Sequence, residues 1–440
     1  MSIETLVDFL ERRSGKIVYV RSLPEIFDFT DRDSSNTLEI VAQDGSTLSV
    51  SMDSRSLPLV VSILKLTVFS GDRKLLAWNF KQFCTFVAAK TGHVPQVDCS
   101  VIDLKVLESY TGNRGGSAPK TFSEAMGRLR RLVESGDYRL AEAVYRNVHL
   151  PLMKIVLPSM EAIGIVDSSR SLKVHSYYEI DGQENGRLKC HDAYRNGFVP
   201  HTMGEAVREN LKPLAYDDIF MSFDFRGMEV YVLASLSRDP RLVQLCLGQD
   251  IYCGIYEAIT GRPCEDSAGR EFAKKVFLPV IYGQGATAVA ARMSIPKHHA
   301  DEVVGRIRSE FAVANEYVID RERQLASSGF VRDDFGKVRR GFPPGKDYLA
   351  RNFAVQAPAS TICSEKLINL YFALKDKARI AYTVHDGYVV YVDKADWREV
   401  HSVALKILTA ESSLKPGLRL KVSCRGGRNL NSLKAIRSRG

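Results

Sequence analysis

The stretch SFDFRGMEVYVLASLSRDP, residues 222 to 240, decides how this chain is read. The apolar residues 219–223 predict a strand that ends on Asp224, and Gly227 opens a turn into a helix predicted over residues 228–236. A second acid, Asp386, stands in a matching place. Residues 380–392 predict two apolar strands joined by the tight turn His385-Asp386-Gly387. Either acid alone reads equally well as a turn or helix cap. Two of them at the ends of neighbouring strands would bridge two divalent ions about 4 Å apart. Mg²⁺ is hard, so such a site needs carboxylate oxygens, and its octahedral shell needs a rigid support such as a sheet.

A second constellation lies on the helix predicted over residues 267–281. Arg270 and Lys274 are four apart and share a face, with Tyr282 two turns beyond Lys274. Two cations and an aromatic on one stripe suit a triphosphate and a stacked base. The plain alternative is a solvated helix face with Tyr282 in the core. Pro279 predicts a bend or break, as Pro151 and Pro158 do in the mainly helical residues 122–165. Residues 182–194 are polar and predict irregular structure. Residues 301–328 predict one helix, and residues 355–377 another.

These residues carry a family resemblance. The chain resembles the family A DNA polymerases, the class of bacterial DNA polymerase I and its phage relatives. Residues 222–240 are similar to that family's first catalytic motif, with Glu229 five positions after Asp224. The run from Arg270 through Lys274 and Leu278 to Tyr282 and Gly283 resembles its finger helix, and Val384-His385-Asp386 its palm hairpin. Residues 185–189 (NGRLK), 329–340, 351–356 (RNFAVQ) and 418–430 resemble the segments around those motifs.

The resemblance implies an α/β and α+β multidomain chain with a right-hand polymerase fold of palm and fingers. It implies template-directed DNA synthesis, with primer-template DNA and deoxynucleoside triphosphates as partners. Asp224 and Asp386 would hold two Mg²⁺ ions, Mn²⁺ being an alternative. Arg270 and Lys274 would bind the triphosphate, and Lys274 would protonate pyrophosphate. Glu229 would sit under the sugar, exclude a 2′-hydroxyl and anchor Tyr282. Leu278 would face the sugar and base, Arg187, Asn352 and Gln356 the nascent pair and duplex, and His385 the primer terminus.

Four departures qualify the resemblance. Gly387 stands where the family usually has glutamate, Leu278 where it has an aromatic, and Gly227 where it has glutamine. The fourth is size. Residues 151–167 resemble the helix before the thumb, and the interval from Asp167 to Gly186 is too short for two long antiparallel helices. A reduced thumb implies weak duplex retention, or a clamp or processivity protein as partner.

Residues 75–83 and 101–110 resemble a ribonuclease H-like proofreading exonuclease, but Phe83 replaces an acid, and Asp103 alone cannot hold two metals. The expected domains are 1–118, exonuclease-like and inactive; 119–184, helical linker and thumb remnant; 185–260, first part of the palm; 261–345, fingers; and 346–440, second part of the palm with its closing strand.

Composition agrees with this reading. A net charge of +9 suits a polyanion partner, and residues 401–440 hold nine Lys or Arg against one acid, Glu411. Eight cysteines without a CxxC pair speak against a zinc module and for a reducing compartment. Acids within residues 1–13 speak against a leader peptide, and no apolar run suits a membrane span. The expectation is the cytoplasm, of a cell or of an infected host. Two other functions remain open at this point. One is RNA or mixed nucleotide synthesis in a priming role, motivated by Leu278 and the short thumb interval. The other is an inactive nucleic-acid-binding scaffold.

Overall fold

A computed structural model describes residues 17–23, 36–53, 57–69, 74–114, 116–180, 182–191 and 197–436. Residues 1–13, 192–194, Arg437 and Arg439, all used in the sequence reading, lie outside them. The chain forms two compact units, one of residues 1–224, 363–408 and 423–440, the other of residues 225–362 and 409–422.

The first unit opens with β1 (Ile17–Leu23), β2 (Asn36–Val41), β3 (Thr47–Met52), β4 (Lys74–Trp78) and β5 (Ser100–Asp103). They form one sheet in the order β3-β2-β1-β4-β5, with β1, β4 and β5 parallel. An Asp44-Gly45 turn joins β2 to β3: Gly45 has φ 85°, and Asp44 Oδ1 accepts from Ser46 N at 2.9 Å. Parallel pairing requires crossovers, and the helices Leu57–Thr67 and Phe80–Thr91 supply them.

The second of those helices carries a buried ion pair. Lys81 Nζ lies 2.6 Å from Glu161 Oε1, on the helix Leu157–Ile163. Thr85 Oγ1 donates to Glu161 Oε2 at 2.8 Å and Tyr178 N to Oε1 at 2.7 Å, while Lys81 Nζ sits 3.6 Å from the centre of the Tyr177 ring. Burial pushes the Glu161 carboxyl up and the Lys81 ammonium down, and their mutual contact opposes both shifts.

The helical stretch is not broken at Pro151 or Pro158. It widens into π-turns at Tyr145–His149 and Leu152–Val156 and continues into Leu157–Ile163. The i→i+5 bonds shift the ladder around a residue that has no N–H to give. The 182–194 segment is also more regular than expected. Lys189–His191 pairs antiparallel with Tyr177–Glu179.

The unit's other five-stranded sheet contains β6 (Asp218–Phe225), β7 (Ala378–Val384), β8 (Gly387–Asp393), β9 (Val422–Gly427) and β10 (Lys434–Ala435), in the order β7-β8-β6-β9-β10. Phe220, Tyr382, Val389 and Tyr391 form a core cluster with Ile165, Val174, Phe198 and Leu211.

In the second unit, aspartates start the helices. Asp239, Asp250 and Asp266 cap Pro240–Leu247, Ile251–Thr260 and Ser267–Ile281 by accepting backbone N–H groups. The pattern over 301–328 is two helices, Lys297–Glu310 and Ala312–Ser328, parted at the buried Phe311, whose ring lies 5.0 Å from that of Phe277.

Ser267–Ile281 runs through Pro279 unbroken, and Leu349–Leu374 runs through Pro358. Each proline leaves the carbonyl four residues earlier without its helical donor. Arg292 Nη1 reaches Lys275 O at 3.4 Å, and Tyr317 Oη reaches Ala354 O at 3.5 Å.

In the hairpin of Val331–Arg332 and Val338–Arg339, the buried Asp333 accepts Phe335 N and Lys337 N, both at 2.8 Å, through Oδ1. Its Oδ2 is buried with no hydrogen-bond partner among the described residues, and burial pushes the carboxyl up to about 7. An unfolded Asp titrates near 3.9. Between about pH 4 and 7 the folded chain therefore holds the extra proton, and stability falls as pH rises through that window. Asp333→Asn is expected to raise stability by about 1–4 kcal/mol at pH 8, with a markedly smaller gain at pH 5.5. Thermal unfolding at both pH values checks this, and an equal effect at the two would refute it.

Candidate active site

The two strand-end acids meet through backbone pairing. β6 and β8 are antiparallel neighbours with Asp224 opposite Gly387, and β7 pairs with β8 so that Val384 also stands opposite Gly387. His385 and Asp386 are thus the two central residues of a tight hairpin turn, one position from the partner of Asp224. His385 has φ 49°, a left-handed conformation that glycine normally supplies. A histidine held there is strained, and such strain concentrates at functional positions.

Asp224 is exposed and Asp386 half-buried. Burial raises the Asp386 carboxyl, the negative charge of Asp224 adds to the rise, and Arg187 and His385 oppose it. Cys363 Sγ lies 3.9 Å from Asp386 Oδ1, and Tyr388 Oη donates to Cys363 O at 2.7 Å. Among the described residues no group of three or more His, Cys, Asp and Glu forms a metal cluster. Two carboxylates on adjacent strands fit hard cations that keep several waters.

Gly387 answers the missing glutamate in steric terms. A Cβ there would lie 3.0 Å from Phe223 O and 3.3 Å from Asp224 Oδ1. The side chain is absent where the ladder leaves it little room.

A cavity of about 340 Å³ opens beside the pair, lined in part by Met203, Arg208, Asp224, His385, Arg425 and Asn431. The His201 ring meets His385 edge-on at 4.8 Å, and burial, His385 and Arg187 lower its pKa. Sequence reasoning missed His201, Arg208 and Cys363, for none lies in a recognisable motif.

The second unit holds the remaining candidates. Arg270 Nε donates to Asp250 Oδ2 at 2.8 Å, its guanidinium lies 5.4 Å from the Tyr252 ring, and the bond to Asp250 raises its pKa. Lys274 is exposed and Leu278 half-buried on the same helix. Tyr282 ends that helix, and its Oη donates to Glu229 Oε2 at 2.6 Å. Asn352 and Gln356 lie four apart on Leu349–Leu374, and Asn352 Oδ1 is buried without a partner among the described residues. Gly227 has φ 73°, and a Cβ there would lie 3.3 Å from Ile251 Cγ2, so glutamine at that position would be strained.

Residues 119–432 match the family described as DNA polymerase family A. DNA polymerase I of Rhizobium leguminosarum is 24% identical over 271 residues, covering 58% of this chain and 26% of that protein. The thermostable DNA polymerase I of Thermus caldophilus is 24% identical over 322 residues, covering 68% and 38%. DNA polymerase theta of Mus musculus is 29% identical over 191 residues, covering 40% and 7%. The matched region thus spans well under half the length of each of these relatives. The POL domain of Pol1 from M. smegmatis, solved in complex with DNA primer-template and dNTP, shares the fold with a TM-score of 0.78, at 16% identity over 98% of each chain.

Gly387→Ala should lower stability by about 1–3 kcal/mol, because strand β6 must yield to the new methyl. Urea unfolding measures this, and an unchanged midpoint would mean that the ladder has slack at this point.

Proposed function

The chain belongs to DNA polymerase family A, and on that premise we propose that it adds deoxynucleotides to a primer 3′-hydroxyl under direction of a template, releasing pyrophosphate. The observation that carries the reading is the pairing of Asp224 with Gly387, which sets two carboxylates at adjacent strand ends. The Pol1 domain of similar fold was solved with primer-template DNA and dNTP, and the proposal gives this chain the same two partners.

Asp224 and Asp386 would hold two Mg²⁺ ions, or Mn²⁺ in their place. When bound, the ions supply a lowered pKa at the primer hydroxyl and charge neutralisation at the leaving pyrophosphate. Arg270, oriented by Asp250, and Lys274 grip the triphosphate, and Lys274 Nζ gives a proton to the departing pyrophosphate. Glu229, bonded to Tyr282, lies under the sugar and leaves no room for a 2′-hydroxyl. Leu278 packs toward sugar and base with less surface than an aromatic. Arg187, Asn352 and Gln356 contact the nascent pair and duplex, and His385 approaches the primer terminus.

The same reading makes the amino-terminal sheet a non-catalytic domain. Asp103 is buried, and its carboxylate accepts Phe80 N at 2.6 Å, Lys105 N at 3.0 Å and Val106 N at 3.3 Å. A carboxylate so engaged caps a helix and has little left for a metal. A labelled single strand incubated with the chain and Mg²⁺ should stay intact; degradation that disappears in Asp103→Ala would overturn this.

A labelled primer-template with Mg²⁺ and either dNTPs or rNTPs tests the main proposal. Extension with dNTPs is expected, falling by about 10²–10³-fold or more in Asp224→Ala. Leu278 motivates the second reading, RNA or mixed synthesis, and equal use of rNTPs would favour it. Tight duplex binding without incorporation of either sugar would leave only a scaffold.

The thumb is reduced in this proposal, since the described residues between Asp167 and Gly186 form only the short strands Leu172–Val174 and Tyr177–Glu179. Products per binding event should be short and shorten further with salt, unless a clamp protein is added. Hundreds of nucleotides per event from the lone chain would contradict this.

A further inference from the structure

Away from the groups used above, the second unit brings two thiols into contact. Cys264 Sγ donates to Cys253 Sγ at 2.7 Å. That separation is nearer the about 2.05 Å of a disulfide bond than the about 3.5–4.0 Å at which unbonded heavy atoms rest. Both thiols are free and half-exposed, whereas Cys84, Cys99, Cys363 and Cys424 are buried. The pair is eleven residues apart, so the turn between two helices brings the sulfurs together.

Their surroundings tie them to Arg270. Cys253 lies in the first turn of Ile251–Thr260, where its N–H donates to Asp250 Oδ1 at 3.2 Å. The other oxygen of Asp250 holds Arg270 Nε at 2.8 Å. Cys264 stands two residues before Asp266, the cap of the helix that carries Arg270 and Lys274, and its N–H donates to Glu257 Oε1 at 3.1 Å. A bond between the sulfurs would pull together the starts of two helices on either side of the Asp250–Arg270 pair.

We infer that Cys253 and Cys264 form an oxidative modification site, converted by a peroxide-class oxidant to an intrachain disulfide that alters triphosphate binding through Arg270. The disulfide stands independently of the activity; its effect on the triphosphate rests on the role of Arg270 proposed above. Either sulfur can react first, because the other stands 2.7 Å away to resolve it; the steps are the same from Cys264 as from Cys253. The Cys264 thiolate attacks one oxygen of hydrogen peroxide, the O–O bond breaks, and the departing hydroxide takes up the thiol's proton as water. Cys264 is then a sulfenic acid. Cys253 Sγ attacks that sulfur, the S–O bond breaks, and the Cys253 proton leaves with the hydroxyl as a second water. The two sulfurs together lose two electrons, and the peroxide gains two.

The test treats the reduced full chain with hydrogen peroxide, digests it without reductant and maps linked peptides by mass. A peptide pair joining Cys253 to Cys264, lighter by about 2 Da than the sum of the two free thiol peptides, is expected. It should be absent from Cys264→Ser and Cys253→Ser and reversed by dithiothreitol. The KM for dNTP should differ at least about twofold between the oxidised and reduced chain, and not at all in Cys264→Ser. Failure to find the linked pair, or dominance of another pairing, overturns the site. A linked chain with unchanged KM overturns its reach to Arg270. A reduced chain that extends no primer counts against the polymerase reading alone, and the mass map still decides the disulfide.

Discussion

The antiparallel pairing of β6 with β8 is the constraint on which the rest of the first unit depends. The hydrogen-bonded ladder sets Asp224 opposite Gly387 and leaves Asp386 in the turn, so the positions of the two acids follow from backbone register rather than from any contact between the acids. A slip of one residue would take Phe223 off the face on which it is buried and carry Asp224 to the other face. Burial of Phe220, Val389 and Tyr391 in one cluster opposes such a slip, since alternate residues of each strand must stay on the core face. Gly387 belongs to this constraint, because the space beside Asp224 is closed by the neighbouring backbone.

A second constraint fastens the amino-terminal sheet within the same unit. The Lys81–Glu161 pair is fully buried, and two charges withdrawn from water are held only because Thr85, the Tyr178 N–H and the Tyr177 ring complete their surroundings. Losing one partner would strand a charge in a dry interior. Losing both to well-packed apolar residues would cost far less. The pair thus specifies how the helices Phe80–Thr91 and Leu157–Ile163 meet more than it adds to stability. Asp103 follows the same logic in the neighbouring helix turn, spending its oxygens on backbone donors.

Proline inside helices shows how the tertiary structure answers a local defect. Pro279 and Pro358 each remove a helical donor, and in each case a side chain from another helix, Arg292 or Tyr317, turns to the freed carbonyl. At Pro151 the repair is local, through a wider turn. The result keeps Tyr282 at a helix end within reach of Glu229. Leu278 and Pro279, adjacent departures from the family pattern, therefore leave that hydrogen bond in place.

Sequence alone determined the strands around Asp224 and Asp386, the helix of Arg270 and Lys274, and the family. All of these rest on short-range signals: apolar period, turn chemistry and motif order. Only the tertiary structure decided that Asp224 faces Gly387, that Asp250 orients Arg270, that His201 meets His385, and that helices pass through their prolines. Each of these joins residues distant in sequence or depends on a neighbour filling a vacated bond, and no local pattern encodes such a partner. The short strands of residues 165–212 escaped for the same reason, since runs of two or three residues carry too little periodicity and are stabilised by pairing across the sheet.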